Sequence, residues 1–279
     1  MILFEPKTHT YFSTEGTNKF VSATSLISYF KQGFDAEKVA AKCIKNKRSK
    51  WYGMTKDAVL GAWKQEADRS CNLGTWYHAQ REQDVLACES IERWGKELKT
   101  FAPIEDEDGR KIAPDQSLIE GIYPEHFMYL KSLGVCGQSD RVEVYDNFVT
   151  IVDFKTNREI KSEGYTNWEG IKTMMKAPVE HLEDCNLNHY ALQLSLYMYI
   201  ILKHNPHLKP GRLIIQHVVF EELDLKDKFG HPVLKTDEDN NPIVKEVKDI
   251  YVPYLKKEVM AILDYYKKNP TKILKYLEK

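Results

Sequence analysis

The chain has 279 residues, of which 42% are hydrophobic, 11% aromatic and 29% charged. That is enough apolar content to bury a core without disulfides or a structural metal, and it excludes wholesale disorder. Forty Lys and Arg stand against 41 Asp and Glu, a formal net charge of −1, so no global positive field marks the surface for nucleic acid or lipid, and a polyanion must be met by a local patch.

The predicted elements begin with a short hairpin over residues 9–22, in which Tyr11, Phe12, Phe20 and Val21 flank a turn at Glu15-Gly16-Thr17-Asn18. Ser22 or Thr24 caps a first helix, Asp35 a second running through the basic residues 45–50, and Thr55 a third ending near Arg69. Gly74 then opens a long helix to about Leu98, and the acidic residues 103–114 form a solvated connection. Three strands follow as a meander, one around residues 127–130, one over 141–145 and one over 148–155, the last two joined by a turn at Asp146-Asn147. Residues 187–204 form a helix apolar on nearly every side, as one buried against a sheet must be. A strand over 213–220, a polar hairpin excursion over 221–250 and an amphipathic helix over 258–268 complete the chain.

The most hydrophobic segment, residues 190–202, is broken by Gln193 and Ser195 and is shorter than the roughly 20 residues of a membrane span. The N-terminus carries no basic stretch followed by an apolar run. Five scattered cysteines without a CxxC spacing read as reduced thiols. The expectation is a cytoplasmic protein with no membrane partner.

Chemistry concentrates at Asp153-Phe154-Lys155, where strand alternation sends Asp153 and Lys155 to one face at the end of the apolar run Ile151-Val152. A hairpin turning at Asp146-Asn147 folds Asp140 back beside Asp153. Two carboxylates about 4 Å apart repel by about 4 kcal/mol at an effective dielectric near 20, so a proton or a cation must sit between them. A hard divalent ion such as Mg²⁺ or Mn²⁺ suits such ligands; a salt-bridged pair at a sheet end is the alternative. His78 and Glu82, at i and i+4, share one helix face, and Gln193 and Tyr197 share another.

Taken together, Gly74-Thr75-Trp76-Tyr77-His78 with Glu82, the GxxGxxD run from Gly134 to Asp140, the strand end Val152-Asp153-Phe154-Lys155-Thr156 and the stretch from Tyr190 to Tyr197 resemble the PD-(D/E)XK nuclease superfamily. The RecB-type and phage exonuclease branch is the nearest. The resemblance implies an α/β restriction-endonuclease-like core, a mixed central sheet flanked by helices. As a single nuclease domain it would comprise an N-terminal hairpin and helical region (1–73), a catalytic core (74–220), an exposed hairpin insertion (221–250) and C-terminal helices (251–279). It also implies that Asp140, Asp153 and the Phe154 carbonyl bind metal, with His78 supplementing them and Glu82 in support. Lys155 would orient or activate the attacking water. Glu125 resembles the acid that many members carry on the preceding strand, with Glu120 as the competing choice. Gln193 and Tyr197 match a QxxxY motif beside bound DNA, and Trp76 and Thr156 would also touch nucleic acid.

The implied activity is a DNA exonuclease using one or two Mg²⁺ or Mn²⁺ ions, in phage or bacterial recombination, repair or degradation, acting alone or with a separate annealing or recombination protein. A structure-specific endonuclease and a noncatalytic DNA-binding module are the alternatives. The cysteine set that holds an iron–sulfur cluster in some relatives is missing, so no cluster is expected, and without GxxxxGK[ST] no ATP-driven motor is expected either.

Overall fold

The computed structural model describes residues 2–5, 10–13 and 20–278. Strands β1 (Ile2–Glu5) and β2 (Thr10–Ser13) pair antiparallel, Leu3 opposite Phe12. The first strand of the predicted hairpin thus takes its ladder partner upstream, and the expected turn at 15–18 lies outside the described residues. The downstream strand, β3 (Val21–Ser22), belongs to the main sheet instead.

Ser22 caps α1 (Ala23–Phe30) by accepting from the Ser25 N–H at 3.0 Å, and Asp35 caps α2 (Ala36–Cys43) in the same manner. The latter stops at Cys43, so the basic residues 45–50 lie outside it, contrary to expectation. Thr55 caps α3 (Lys56–Leu86), a single 31-residue helix where the sequence reading expected two. The Gly74 that was to open the second lies inside it, at a modest propensity cost of about 1 kcal/mol. A Cβ there would sit 3.4 Å from Thr156 Oγ1, so the bare Cα leaves room for that hydroxyl. The helix also ends earlier than predicted. Beyond it β4 (Ser90–Arg93) and β5 (Lys96–Lys99) form a hairpin on Trp94-Gly95, both at positive φ, the two-residue turn that matches strand twist.

Residues 103–114, expected as a solvated connection, contain β6 (Ile104–Glu105) and β7 (Lys111–Ile112), and the second of these pairs with β1. The meander follows as predicted, β8 (Gly121–Leu130), β9 (Val135–Tyr145) and β10 (Phe148–Lys155), with Asp146 and Asn147 both at positive φ in the turn. Helix α4 (Asn186–His204) crosses over to β11 (Lys209–Phe220), which lies parallel to β10. The excursion after β11 is shorter than expected. After the hairpin of β12 (Glu222–Lys226) and β13 (Pro232–Leu234), β14 (Val244–Val252) returns as an antiparallel partner of β11. Helices α5 (Lys256–Lys268) and α6 (Pro270–Leu277) close the described chain.

The main sheet therefore runs β14-β11-β10-β9-β3 with β8 on β9, a mixed α/β sheet. One face buries α1, α4, α5 and α6 over Val142, Val144, Ile151 and Ile215. The other receives Tyr77 of α3 over Val152, Phe154 and Ile214. No helix among the described residues is long and apolar enough to cross a membrane.

Two features of this sheet create the site. Strands β9 and β10 stay paired only as far as Arg141 and Val152, after which β3 stands beside Val135 and Cys136. The sheet thus forks at Asp140 and Asp153. In addition, β8 and β9 reverse the phase of their alternation at the same level. Tyr123, Val142 and Val144 face the α4 side on one side of the fork, and Met128, Leu130 and Val135 do so on the other, odd where even residues were and the reverse. No residue is inserted between the strands. The reversal coincides with Glu125, held at φ 48° within β8, a conformation costly for a residue with a Cβ and typical of functional positions.

Candidate active site

The fork gathers side chains from α3, β8, β9 and β10, with Lys111 of β7 and Tyr190 of α4 beside them. Asp140, on β9, accepts from the backbone N–H of Phe154 at 2.5 Å and lies 3.1 Å from Nδ1 of His78 on α3. The other ring nitrogen of His78 lies 3.1 Å from the Phe154 carbonyl oxygen, to which it donates. One imidazole therefore bridges the carboxylate of β9 and a backbone oxygen of β10. Burial opposes a charge on His78, but Asp140 outweighs it and lifts the imidazole to about 9. Burial likewise opposes ionisation of Asp140, yet His78, Lys155 and the Phe154 N–H hold its carboxyl below the ordinary range.

Asp153 is almost completely buried, which raises its pKa against the pull of Lys155. Its Oδ2 forms an ion pair with Lys155 Nζ but has no directed hydrogen bond. Burial disfavours the Lys155 ammonium, and Asp153 and Asp140 more than compensate, keeping it charged. The ammonium also stands 5.0 Å from the ring centre of Tyr190 on α4, a cation–π contact.

Glu125 faces Asp140 from β8. Its carboxylate accepts from Gln138 Nε2 and lies 3.4 Å from Lys111 Nζ, which in turn lies 3.0 Å from Glu82. Burial, then Asp140, pushes the Glu125 carboxyl up to about 7 despite Lys111.

Ligand atoms of His78, Glu125 and Asp140 all lie within 4.8 Å of one another. Imidazole nitrogen and carboxylate oxygen suit a divalent cation of the Mg²⁺ or Mn²⁺ kind, the Phe154 carbonyl beside the His78 ring is a further oxygen, and so is the buried Asp153 carboxylate. The residues present thus fit a metal. For His78 to join, the coordinating nitrogen must release its proton.

Most residues anticipated from sequence meet here. Asp140, Asp153, the Phe154 carbonyl, Lys155 and His78 converge, while Glu82 reaches the cluster through Lys111. Of the two competing acids, Glu125 is at the fork, and Glu120 is exposed and paired with Lys96 beside the Asp146 turn. Gln193 donates to Tyr197 Oη at 3.0 Å as the helical spacing predicts. Tyr197 itself is buried, away from any DNA-contacting position, because its ring fills the space over Gly137: a Cβ there would come within 2.3 Å of Tyr197 Cε1. The second glycine of the GxxGxxD run is thereby explained. Trp76 packs against Phe220, ring centres 6.4 Å apart, and Thr156 lines a groove with Arg69, Asn157 and Arg158.

Sequence reasoning missed Lys111, Gln138 and Tyr190. Tyr190 had a usable signal, since it shares a helix face with Gln193 and Tyr197 at i, i+3 and i+7. Lys111 had none, because its approach to Glu82 depends on the β1–β7 pairing.

A sequence profile of the PD-(D/E)XK nuclease superfamily matches residues 53–265 of the chain. Among curated proteins and among solved structures, nothing matches it.

Proposed function

The chain belongs to the PD-(D/E)XK nuclease superfamily, which makes it a metal-dependent nuclease, and from that premise we propose that it is a DNA exonuclease of the RecB-type, phage-like branch. It hydrolyses phosphodiester bonds at DNA ends with one or two Mg²⁺ or Mn²⁺ ions, and serves recombination, repair or degradation of DNA. The observation that carries this reading is the bridge of His78 between Asp140 and the Phe154 carbonyl. It unites the histidine of the helix with the acid and the strand end of the sheet.

In this reading His78, Asp140, Asp153, the Phe154 carbonyl and Glu125 hold the metal. When bound, such an ion supplies Lewis-acid stabilisation of charge on the phosphate and a more acidic attacking water. Lys155, kept charged by Asp153 and Asp140, donates hydrogen bonds to the water or the phosphate and offsets negative charge developing there. A charged ammonium there orients the nucleophile. Tyr190 limits where that ammonium can swing, and Gln193 offers its remaining polar capacity to the strand lying beside α4. Lys111 keeps Glu82 and Glu125 from repelling each other and so holds Glu125 toward the fork.

The test is degradation of end-labelled linear single- and double-stranded DNA beside covalently closed circles, with Mg²⁺, Mn²⁺ or EDTA and an Asp153→Ala control. Metal-dependent loss of linear DNA with circles intact is the expected result. Cleavage of circles would replace the exonuclease reading with an endonuclease, and DNA binding without cleavage under any metal would leave a noncatalytic module.

A further inference from the structure

Beside the fork lies a cavity of about 230 Å³ under the β6–β7 hairpin. It shares two residues with the site just described. Lys111 and Glu125 line the cavity, and Glu125 is also part of the carboxylate cluster, so the two spaces adjoin. The cavity is reached from solvent past Ala102, Ile104 and Asp115, all exposed.

Its walls are aromatic and rigid. Phe101 and Tyr123 stack on each other with ring centres 4.7 Å apart and planes 12° apart. The Tyr123 hydroxyl is fixed by the Ile119 carbonyl, to which it donates at 2.8 Å, and by the Ile119 N–H, from which it accepts at 3.0 Å. Pro114 and Leu118 add apolar surface.

Besides Lys111, Glu125 and the rim residue Asp115, the lining holds a buried imidazole. His126 is 5% exposed, touches Tyr123 edge to face, and makes no side-chain hydrogen bond among the described residues. With no side-chain hydrogen bond of its own, the imidazole is available to the polar edge of a ligand in the cavity. The phase reversal in β8 places it there: with Glu125 at φ 48°, the Glu125 carboxylate faces the fork while the next residue faces the cavity.

From this geometry we infer that the cavity is a base pocket, which receives the nucleobase adjoining the scissile phosphate. The inference rests on the reading of the chain as a DNA nuclease. Of the parts of a DNA strand, only the base is flat and apolar on its faces with donors and acceptors at its edge, and the ring nitrogens of an imidazole can pair with such an edge. The volume lies below the ~300–1,000 Å³ of pockets for larger organic ligands, consistent with a single ring system. A base at a DNA end has the least stacking to lose on entering. The pocket therefore couples cleavage to an unpaired terminal base.

The test uses the full chain and linear duplexes in which an abasic site is walked through the terminal positions, with Ala102→Trp, at the exposed rim, to close the pocket and His126→Leu as a second variant. Wild-type cleavage should slow about 10-fold when the abasic site reaches one position, the scale of a single base–aromatic contact. Ala102→Trp should cleave the intact duplex as slowly as wild type cleaves that abasic one and show no further loss on it, and His126→Leu should respond less than wild type to removal of the base. Terminal 2-aminopurine, read by fluorescence in EDTA, should change environment on binding wild type and not on binding Ala102→Trp. Equal wild-type rates at every abasic position, or an Ala102→Trp variant that cleaves and binds as wild type does, would overturn the pocket while leaving the nuclease reading intact. Absence of any DNA cleavage by wild type would overturn both.

Discussion

The His78–Asp140 contact makes metal-free stability depend on pH in a way that can be worked out in advance. His78 rises from 6.5 to about 9 because Asp140, 3.1 Å away, favours the imidazolium more than burial opposes it. A folded pKa above the unfolded one gives stabilisation that is fully present below pH 6.5 and is lost as pH rises through 9. At ~1.4 kcal/mol per pH unit, and discounted because the side chain is 30% exposed, the loss between pH 6 and pH 9 is about 2–3 kcal/mol. For a chain of this size that corresponds to a fall in Tm of about 4–6 °C. The measurement is thermal denaturation in EDTA at pH 6 and pH 9, for wild type and for His78→Asn. Glu125, raised from 4.5 to about 7 chiefly by burial, loses its own contribution as pH climbs through 7 with the same sign, so the variant supplies the baseline. Saturating Mg²⁺ should flatten the wild-type curve, since coordination takes the deprotonated ring. Equal losses in wild type and His78→Asn would refute the reasoning.

Gly137→Ala should lower stability by about 1–3 kcal/mol through the collision with Tyr197, and Tyr197→Leu should absorb part of that cost, which a double-mutant cycle in urea reads directly. Lys111→Met removes the cation that lowers the Glu125 pKa, so the acid limb of the pH–rate profile should move up by about one pH unit. Glu125→Gln should weaken the response to metal in a titration of activity, whereas Glu120→Gln, at the exposed Lys96 pair, should leave it unchanged. Asp153→Ala and Lys155→Ala should abolish cleavage while retaining the far-ultraviolet circular dichroism of the native fold.

Local signals were read well wherever the chain's own chemistry decides them. Ser22, Asp35 and Thr55 cap helices as their side chains suggest, and Asp146-Asn147 turns the meander. The errors share a cause. Gly74 looked like a helix boundary because a glycine lowers helix propensity, yet α3 runs through it under tertiary packing. Trp94-Gly95 falls within the span the sequence predicts as helix, although both residues take the positive φ of the tight turn that joins β4 to β5. Residues 103–114 looked solvated because they are acidic, although their pairing with β1 brings Lys111 to Glu82 and Glu125.

By itself the sequence determined which groups could do chemistry, through the order and spacing of His78, Asp140, Asp153, Lys155, Gln193 and Tyr197, because strand and helix periods relate near neighbours directly. Only the tertiary structure decided which of them meet. The forking of β9 from β10, the phase reversal at Glu125 and the arrival of Lys111 from a separate small sheet are long-range events. They depend on strand pairing and core packing between segments far apart in the chain, which no local pattern encodes.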